Sequence, residues 1–268
     1  MDYSIGFIGG GKMAEAIISG IVTSNLISQQ NVFVGEINEA RQKYLQEVYG
    51  VNVSSDNKWV ISQADLVILA VKPQLMQRVV GPLREIFSHR LVVSIAAGIT
   101  INKLSEMLPD KQPIIRVMPN TPCLIGQGIS AMAPGETVTE EHSAKAKTIL
   151  SSVGQVVITE EKYLNAVTGL SGSGPAYVYL IIEALADAGV LAGLDRHMAL
   201  QLATQTVIGS AAMVKETGSH PAQLKDAVTS PGGTTISALY SLEKNGVRAA
   251  LIEAVITAMN RAAELNGE

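Results

Sequence analysis

Over the first 160 residues, short apolar runs alternate with stretches whose apolar positions recur every three or four residues. The runs at 3–8, 32–36, 51–55, 65–71, 91–97 and 114–118 are continuous and β-branched rather than alternating. Parallel strands covered on both faces have this pattern, because neither side meets water. Runs at 129–133 and 155–159 extend the series, and 39–49, 58–63, 74–87 and 140–152 read as helices between them. Strands alternating with helices predict a right-handed, doubly wound sheet. After Glu161 the strand pattern stops, and 176–192, 196–217, 221–229, 236–245 and 247–266 all read as helices. These are rich in Ala, Leu, Ile and Met, so they are apolar around much of their circumference and need partners on more than one side. In so short a segment a second subunit can supply that partner. The predicted class is therefore α/β. A sheet domain spans 1–160 and an all-helical domain spans 161–268, with the junction at 160–164.

The first strand runs into Gly9-Gly10-Gly11-Lys12-Met13-Ala14, followed by the apolar helical run at 16–18. Gly9, Gly11 and Ala14 fill the three positions of G-x-G-x-x-G/A: a tight turn, a close backbone approach to pyrophosphate, and close helix–strand packing. A glycine-rich turn alone has the same letters. The strand–turn–helix context favours a Rossmann-type dinucleotide site, with the helix N-terminus offered to the phosphates. Glu36 ends the second strand, where an acidic residue accepts hydrogen bonds from the adenosine ribose and favours NADH over NADPH. Arg41, one turn into the next helix, either faces a phosphate or is solvated. Lys72, closing the fourth strand, is either a proton donor or a cation near ribose and phosphate, and its company at the cofactor-binding ends favours the second. Ala96-Ala97-Gly98 closes the fifth strand at the same crevice. In Arg116–Pro122, two prolines bracket Asn120 in a rigid turn, which a packing role explains.

Two further glycine-rich segments, 169–177 and 230–235, each precede a long helix. In the second, the N–H groups of Gly233, Thr234 and Thr235 would point from a helix beginning near Ile236, which suits a carboxylate. The Thr235 hydroxyl stands beside them. A threonine N-cap is the plain alternative, though it gives no reason for Pro-Gly-Gly ahead of two threonines.

Composition narrows the picture. The chain has 268 residues, 47% hydrophobic and 16% charged, with a net charge of −4, which argues against a general affinity for nucleic acid. A single cysteine, Cys123, excludes an intramolecular disulfide and reads as a small buried hydrophobe. The four histidines are scattered, so no metal is inferred. No basic or apolar leader precedes the first strand, and no apolar run approaches a bilayer-spanning length, which predicts a cytoplasmic protein without a membrane partner.

The motifs Gly6–Met13, Ala70–Pro73, Ala96–Gly98, Met118–Pro122, Gly169–Tyr177 and Ser230–Thr235, in this order and spacing, resemble the pyrroline-5-carboxylate reductase family over essentially the whole chain. The resemblance implies an N-terminal Rossmann domain and a helical domain that interlocks in a homodimer, often in rings of dimers. It also implies reduction of the cyclic imine 1-pyrroline-5-carboxylate to L-proline by NADPH or NADH. By position, Gly9, Gly10, Gly11, Lys12, Met13, Glu36, Asn38, Asn57, Ala70, Lys72 and Ala97 line the cofactor. Glu161, Gly233, Thr234 and Thr235 lie at the substrate, with the Thr235 hydroxyl on the ring nitrogen as the catalytic contact. Two departures stand out. The family often has a small or hydroxylated residue at Glu36, which fits NADPH, and some members have Asn at Ala227. A 3-hydroxyacid dehydrogenase or related imine reductase would place a catalytic lysine beside glycines in the helical half, and neither Lys215 nor Lys225 has that setting. A dinucleotide-binding scaffold gives no reason for a second anion-ready helix start.

Overall fold

The eight apolar runs form one sheet in the computed structural model, which describes residues 3–266. The outermost positions of the two expected domains, 1–2 and 267–268, lie outside the described residues. In chain order the strands are β1 Ile5–Ile8, β2 Val32–Gly35, β3 Asn52–Ser54, β4 Leu66–Leu69, β5 Leu91–Ser94, β6 Ile114–Met118, β7 Gly128–Pro134 and β8 Gly154–Ile158. Across the sheet they run β3-β2-β1-β4-β5-β6-β7-β8. The first six pair in parallel, and the order reverses between β1 and β4, so a crevice opens beyond the carboxyl ends of those two strands.

β7 is antiparallel to β6, a departure from the parallel pattern. Only residues 119–127 join the two strands, too few for the crossover that a parallel pair needs. β8 then returns parallel to β7, after a helix.

Strand parity divides the core. Ile5, Phe7, Val32, Val34, Leu66, Ile68, Val93 and Val117 point to one face, with Ile17, Ile18 and Ile21. Ile8, Val67, Leu69 and Val92 point to the other, with Val60, Phe87 and Leu104. Burial on both faces is why these strands read as unbroken apolar runs.

The helices are α1 Lys12–Thr23, α2 Glu39–Tyr49, α3 Asn57–Gln63, α4 Met76–Val80, α5 Ile101–Met107, α6 Glu140–Ser151, α7 Leu164–Val167, α8 Gly174–Leu191, α9 Arg196–Thr217, α10 Pro221–Ala227, α11 Thr234–Lys244 and α12 Val247–Asn266. The expected helix over 74–87 is instead two 3-10 segments, Pro73–Leu75 and Gly81–Phe87, flanking α4. Pro82 lacks an N–H and crowds the preceding turn, which stops α4 as an α-helix. The glycine-rich segment that precedes α8 is itself largely helical. α7 continues through a π-helical turn, Thr168–Gly172, and α8 begins at Gly174. Bare Gly172 lets Met118 of β6 come close, since a Cβ there would lie 2.6 Å from its Cε.

The chain divides into two compact units, one running through Gly172 and taking in the stretch from Ala258, the other Ser173–Thr257. Residues 161–172 thus pack with the sheet: Leu164 is buried against Ala131 and Ala133 of β7. In the smaller unit only Ala186, Ala199 and Ala203 are fully buried. These small side chains let α8 and α9 approach closely.

Candidate functional site

The larger unit carries the glycine turn at the strand-order reversal. Gly9 has φ +103°, and a Cβ there would stand 2.8 Å from the Ala70 carbonyl oxygen at the end of β4. Its N–H donates to the Gly35 carbonyl (2.9 Å), which ties β1 to β2. Gly10 donates to the Glu36 carboxylate (3.1 Å), and a Cβ on it would press on Leu45. Gly11 is the N-cap of α1 with no side-chain cap, and a Cβ on it would meet nothing within 4 Å. The first bond of α1 is Glu15 N–H to Gly11 O, so the N–H groups of Lys12, Met13 and Ala14 precede the helical ladder. Bare donors, a helix dipole and open space beside Gly11 fit a dinucleotide pyrophosphate.

The other cofactor candidates gather at the same strand ends. The Glu36 carboxylate also accepts from the Asn38 N–H (2.9 Å), and the Asn38 side chain caps α2 by accepting from Arg41 N–H. The Asn57 amide lies against bare Gly35, where a Cβ would overlap it. Ala70 follows β4, while Lys72 and Ala97 are exposed past the ends of β4 and β5.

Arg41 is neither solvated nor turned to an open phosphate position. Its Nε donates to the Gly10 carbonyl (2.7 Å) and its Nη2 to the Glu15 carboxylate (2.6 Å), with the guanidinium over the Tyr44 ring. Glu15, in the first turn of α1, is only 7% exposed and also accepts from the Tyr44 and Tyr49 hydroxyls (2.9 and 3.1 Å). Burial pushes its carboxyl up. The hydrogen bonds from Arg41, Tyr44 and Tyr49, with the Arg41 charge, outweigh that and hold it at about 2. Tyr49, half-buried and facing that carboxylate, is pushed up to about 12. Sequence reading passed over Glu15. The available signal was an acidic residue directly behind a phosphate-binding helix start, which needs a cation of its own.

Glu161 is committed within the larger unit. Its Oε1 accepts from Arg116 Nη1 (3.0 Å) and from the Ile101 N–H that opens α5 (2.8 Å). Asn120 joins β7 to the π-helical turn, accepting from Ile129 N–H and donating to the Ser171 carbonyl. Among the described residues no three His, Cys, Asp or Glu side chains gather as a metal would require.

In the smaller unit, α11 begins at Thr234, two residues earlier than the sequence pattern implies, with Gly233 as N-cap and no side-chain cap. The threonines are therefore not the cap. Gly233 N–H is already used, donating to the Ser230 carbonyl across a turn in which Gly232 has φ +65°. The first helical bond is Ser237 N–H to Gly233 O, so the free donors are those of Thr234, Thr235 and Ile236. This moves the expected donor set one residue along: Ile236 replaces Gly233.

A doubly wound sheet with an uncapped glycine turn at its strand-order reversal, and a carboxylate just past β2, defines a dinucleotide-binding protein, and its relatives make it an NAD(P)H-dependent oxidoreductase. Residues 4–98 match the model for NADP oxidoreductase, coenzyme F420-dependent, and 161–265 match the model for pyrroline-5-carboxylate reductase dimerisation. A curated relative from Synechocystis, a pyrroline-5-carboxylate reductase, is 50% identical over 99% of both chains. The solved Coxiella burnetii pyrroline-5-carboxylate reductase is similar with TM-score 0.93 at 38% identity, covering 99% of both chains. The Plasmodium falciparum pyrroline carboxylate reductase, solved with NADP bound, gives 0.90 at 36% identity, covering 99% of this chain and 98% of that one. The chain belongs to the pyrroline-5-carboxylate reductase family.

Proposed function

We propose that this protein reduces 1-pyrroline-5-carboxylate to L-proline with NADPH or NADH, the last step of proline biosynthesis. The dinucleotide, when bound, supplies the hydride. The turn from Gly9 to Gly11, with Lys12 and Met13, holds the pyrophosphate. Glu36 and Asn38 face the adenosine ribose, and Asn57, Ala70, Lys72 and Ala97 complete the wall. The observation that carries the substrate reading is the second bare helix start, at Gly233. There the N–H groups of Thr234, Thr235 and Ile236 hold the substrate carboxylate, and the Thr235 hydroxyl hydrogen-bonds the ring nitrogen. A protonated imine is already electrophilic, so orientation and water exclusion supply most of the acceleration. Glu161 stays among the substrate-side residues, its carboxylate held by Arg116 and by the Ile101 N–H.

We place the family boundary at 160/161, where the dimerisation match begins, although residues 161–172 pack with the sheet. The helical domain pairs two copies, and dimers assemble further into a ring. One continuous helical stretch, Glu161–Leu191, is long and apolar enough to cross a membrane by length and composition. We assign its apolar face to a second copy rather than to lipid, and the protein to the cytoplasm. The expected behaviour is recovery in a detergent-free high-speed supernatant.

The test of function is loss of nicotinamide absorbance on adding 1-pyrroline-5-carboxylate, with L-proline identified as product. A 3-hydroxyacid series with NAD(P)+ is the control. Cofactor binding without imine turnover, or turnover of the hydroxyacids instead, overturns the proposal.

A further inference from the structure

The groups near the end of β2 are unequal. Glu36 is presented as a preset carboxylate, with the Gly10 and Asn38 N–H groups holding one oxygen each (3.1 and 2.9 Å). A fixed carboxylate there suits the paired hydroxyls of an unphosphorylated ribose and repels a 2′-phosphate. An arginine at this end of the site is the group that ordinarily accommodates that phosphate. Arg41 is such an arginine by position, yet its guanidinium is turned under the turn, onto the Gly10 carbonyl and Glu15.

We propose that Glu15 is a specificity-determining positioning residue, which selects NADH over NADPH by holding Arg41 beneath the glycine turn. The inference rests on the cofactor site proposed above. Glu15 touches neither cofactor nor substrate; it acts through Arg41. The side chains around it make the hold firm. Tyr44 and Tyr49 donate to one carboxylate oxygen, and Arg41 donates to the other, which lies 3.4 Å from Lys12 Nζ. The carboxyl stays charged at any working pH, so the clamp does not open by titration. With Arg41 held, the β2 end presents net negative charge and no free guanidinium. With Arg41 released, the same end gains a mobile cation within one helical turn of Asn38.

The experiment measures dissociation constants of NADH and NADPH by nicotinamide fluorescence, without imine, for wild type, Glu15→Gln, Glu15→Ala, Arg41→Ala and Glu15→Ala/Arg41→Ala. Glu15→Gln removes the charge while keeping the shape, and Glu15→Ala releases Arg41 fully. Wild type is expected to bind NADH the more tightly. Both Glu15 variants should tighten NADPH relative to NADH, by about three- to tenfold, the weight of one partly screened charge-assisted contact. That gain should vanish in the double variant and shrink with added salt. If both cofactors weaken together in Glu15→Gln with no change in their ratio, Glu15 is a packing residue and the proposal falls. It also falls if the gain survives without Arg41, which would assign it to Lys12. Failure of wild type to bind either dinucleotide would instead overturn the underlying site.

Discussion

At the scale of single residues, the cofactor site depends on groups that leave something out and on one that is overprovided. Gly9 combines a positive φ with a Cβ position 2.8 Å from a backbone oxygen, and a backbone atom cannot step aside cheaply. Gly9→Ala should cost about 1–3 kcal/mol of stability and weaken both dinucleotides, read by thermal melting and fluorescence titration. Glu15 is the opposite case, with three donors on a buried carboxylate besides Lys12 at longer range. Its folded pKa, about 2, lies below the ordinary 4.5, so its contribution is fully present above that value and is lost as pH falls toward 2. The contribution is on the order of 3 kcal/mol. Wild type should therefore melt well above Glu15→Gln at neutral pH, with the gap closing between about pH 4.5 and 2. A gap independent of pH would mean that shape, not charge, stabilises the site.

At the scale of elements, two helix starts and one ion pair make claims that substitution can separate. Thr235→Val keeps the backbone donors of α11 and removes only the hydroxyl. A hydrogen bond to a charged group is worth about 1.5–3 kcal/mol, so kcat should fall roughly 10- to 100-fold while the cofactor dissociation constant stays put. Unchanged turnover would remove that hydroxyl from the reaction. Glu161 ties β6 to the start of α5 through Arg116, which is almost wholly buried. Glu161→Ala should therefore destabilise by about 2–3 kcal/mol, discounted for the partial exposure of Glu161 itself, and a melting curve reads that directly. The strands, α1 and the helical half were legible because each is a long periodic or continuous apolar signal. Less legible were features set by tertiary partners. The direction of β7 follows from the short connection before it, not from its own letters. α5 is only about two turns long, capped by the Thr100 hydroxyl, which accepts from Lys103 N–H (3.2 Å). The glycine-rich letters at 169–172 do not announce the π-helical turn that they form, and bare Gly172 leaves room there for Met118 of β6. The glycine turn at 9–11 and the start of α1 at Lys12 stand where the letters put them. The Arg116–Glu161 pair, 45 positions apart in sequence, had no local signature.

At the scale of the molecule, the smaller unit poses a stability problem that only association resolves. Its three fully buried side chains are all alanines, whereas Tyr179, Leu180 and Ile252 are 61%, 65% and 60% exposed and Leu191 is 90% exposed. Alanine burial alone cannot offset the chain entropy of ordering helices as long as α8 and α9. The dimerisation match over 161–265 identifies what supplies the missing area: another copy of this chain. Folding of this half and association should then be one event, so the melting temperature should rise with protein concentration. Leu180→Asp sharpens the point. On a solvated face this change would alter stability by no more than about 0.5 kcal/mol. Beneath a partner it buries an unpaired charge, so sedimentation should show dissociation and circular dichroism should show loss of helix together. A stable, fully helical Leu180→Asp monomer would show that α8 does not carry the interface, and the cover for the smaller unit would have to lie on α9, α11 or α12.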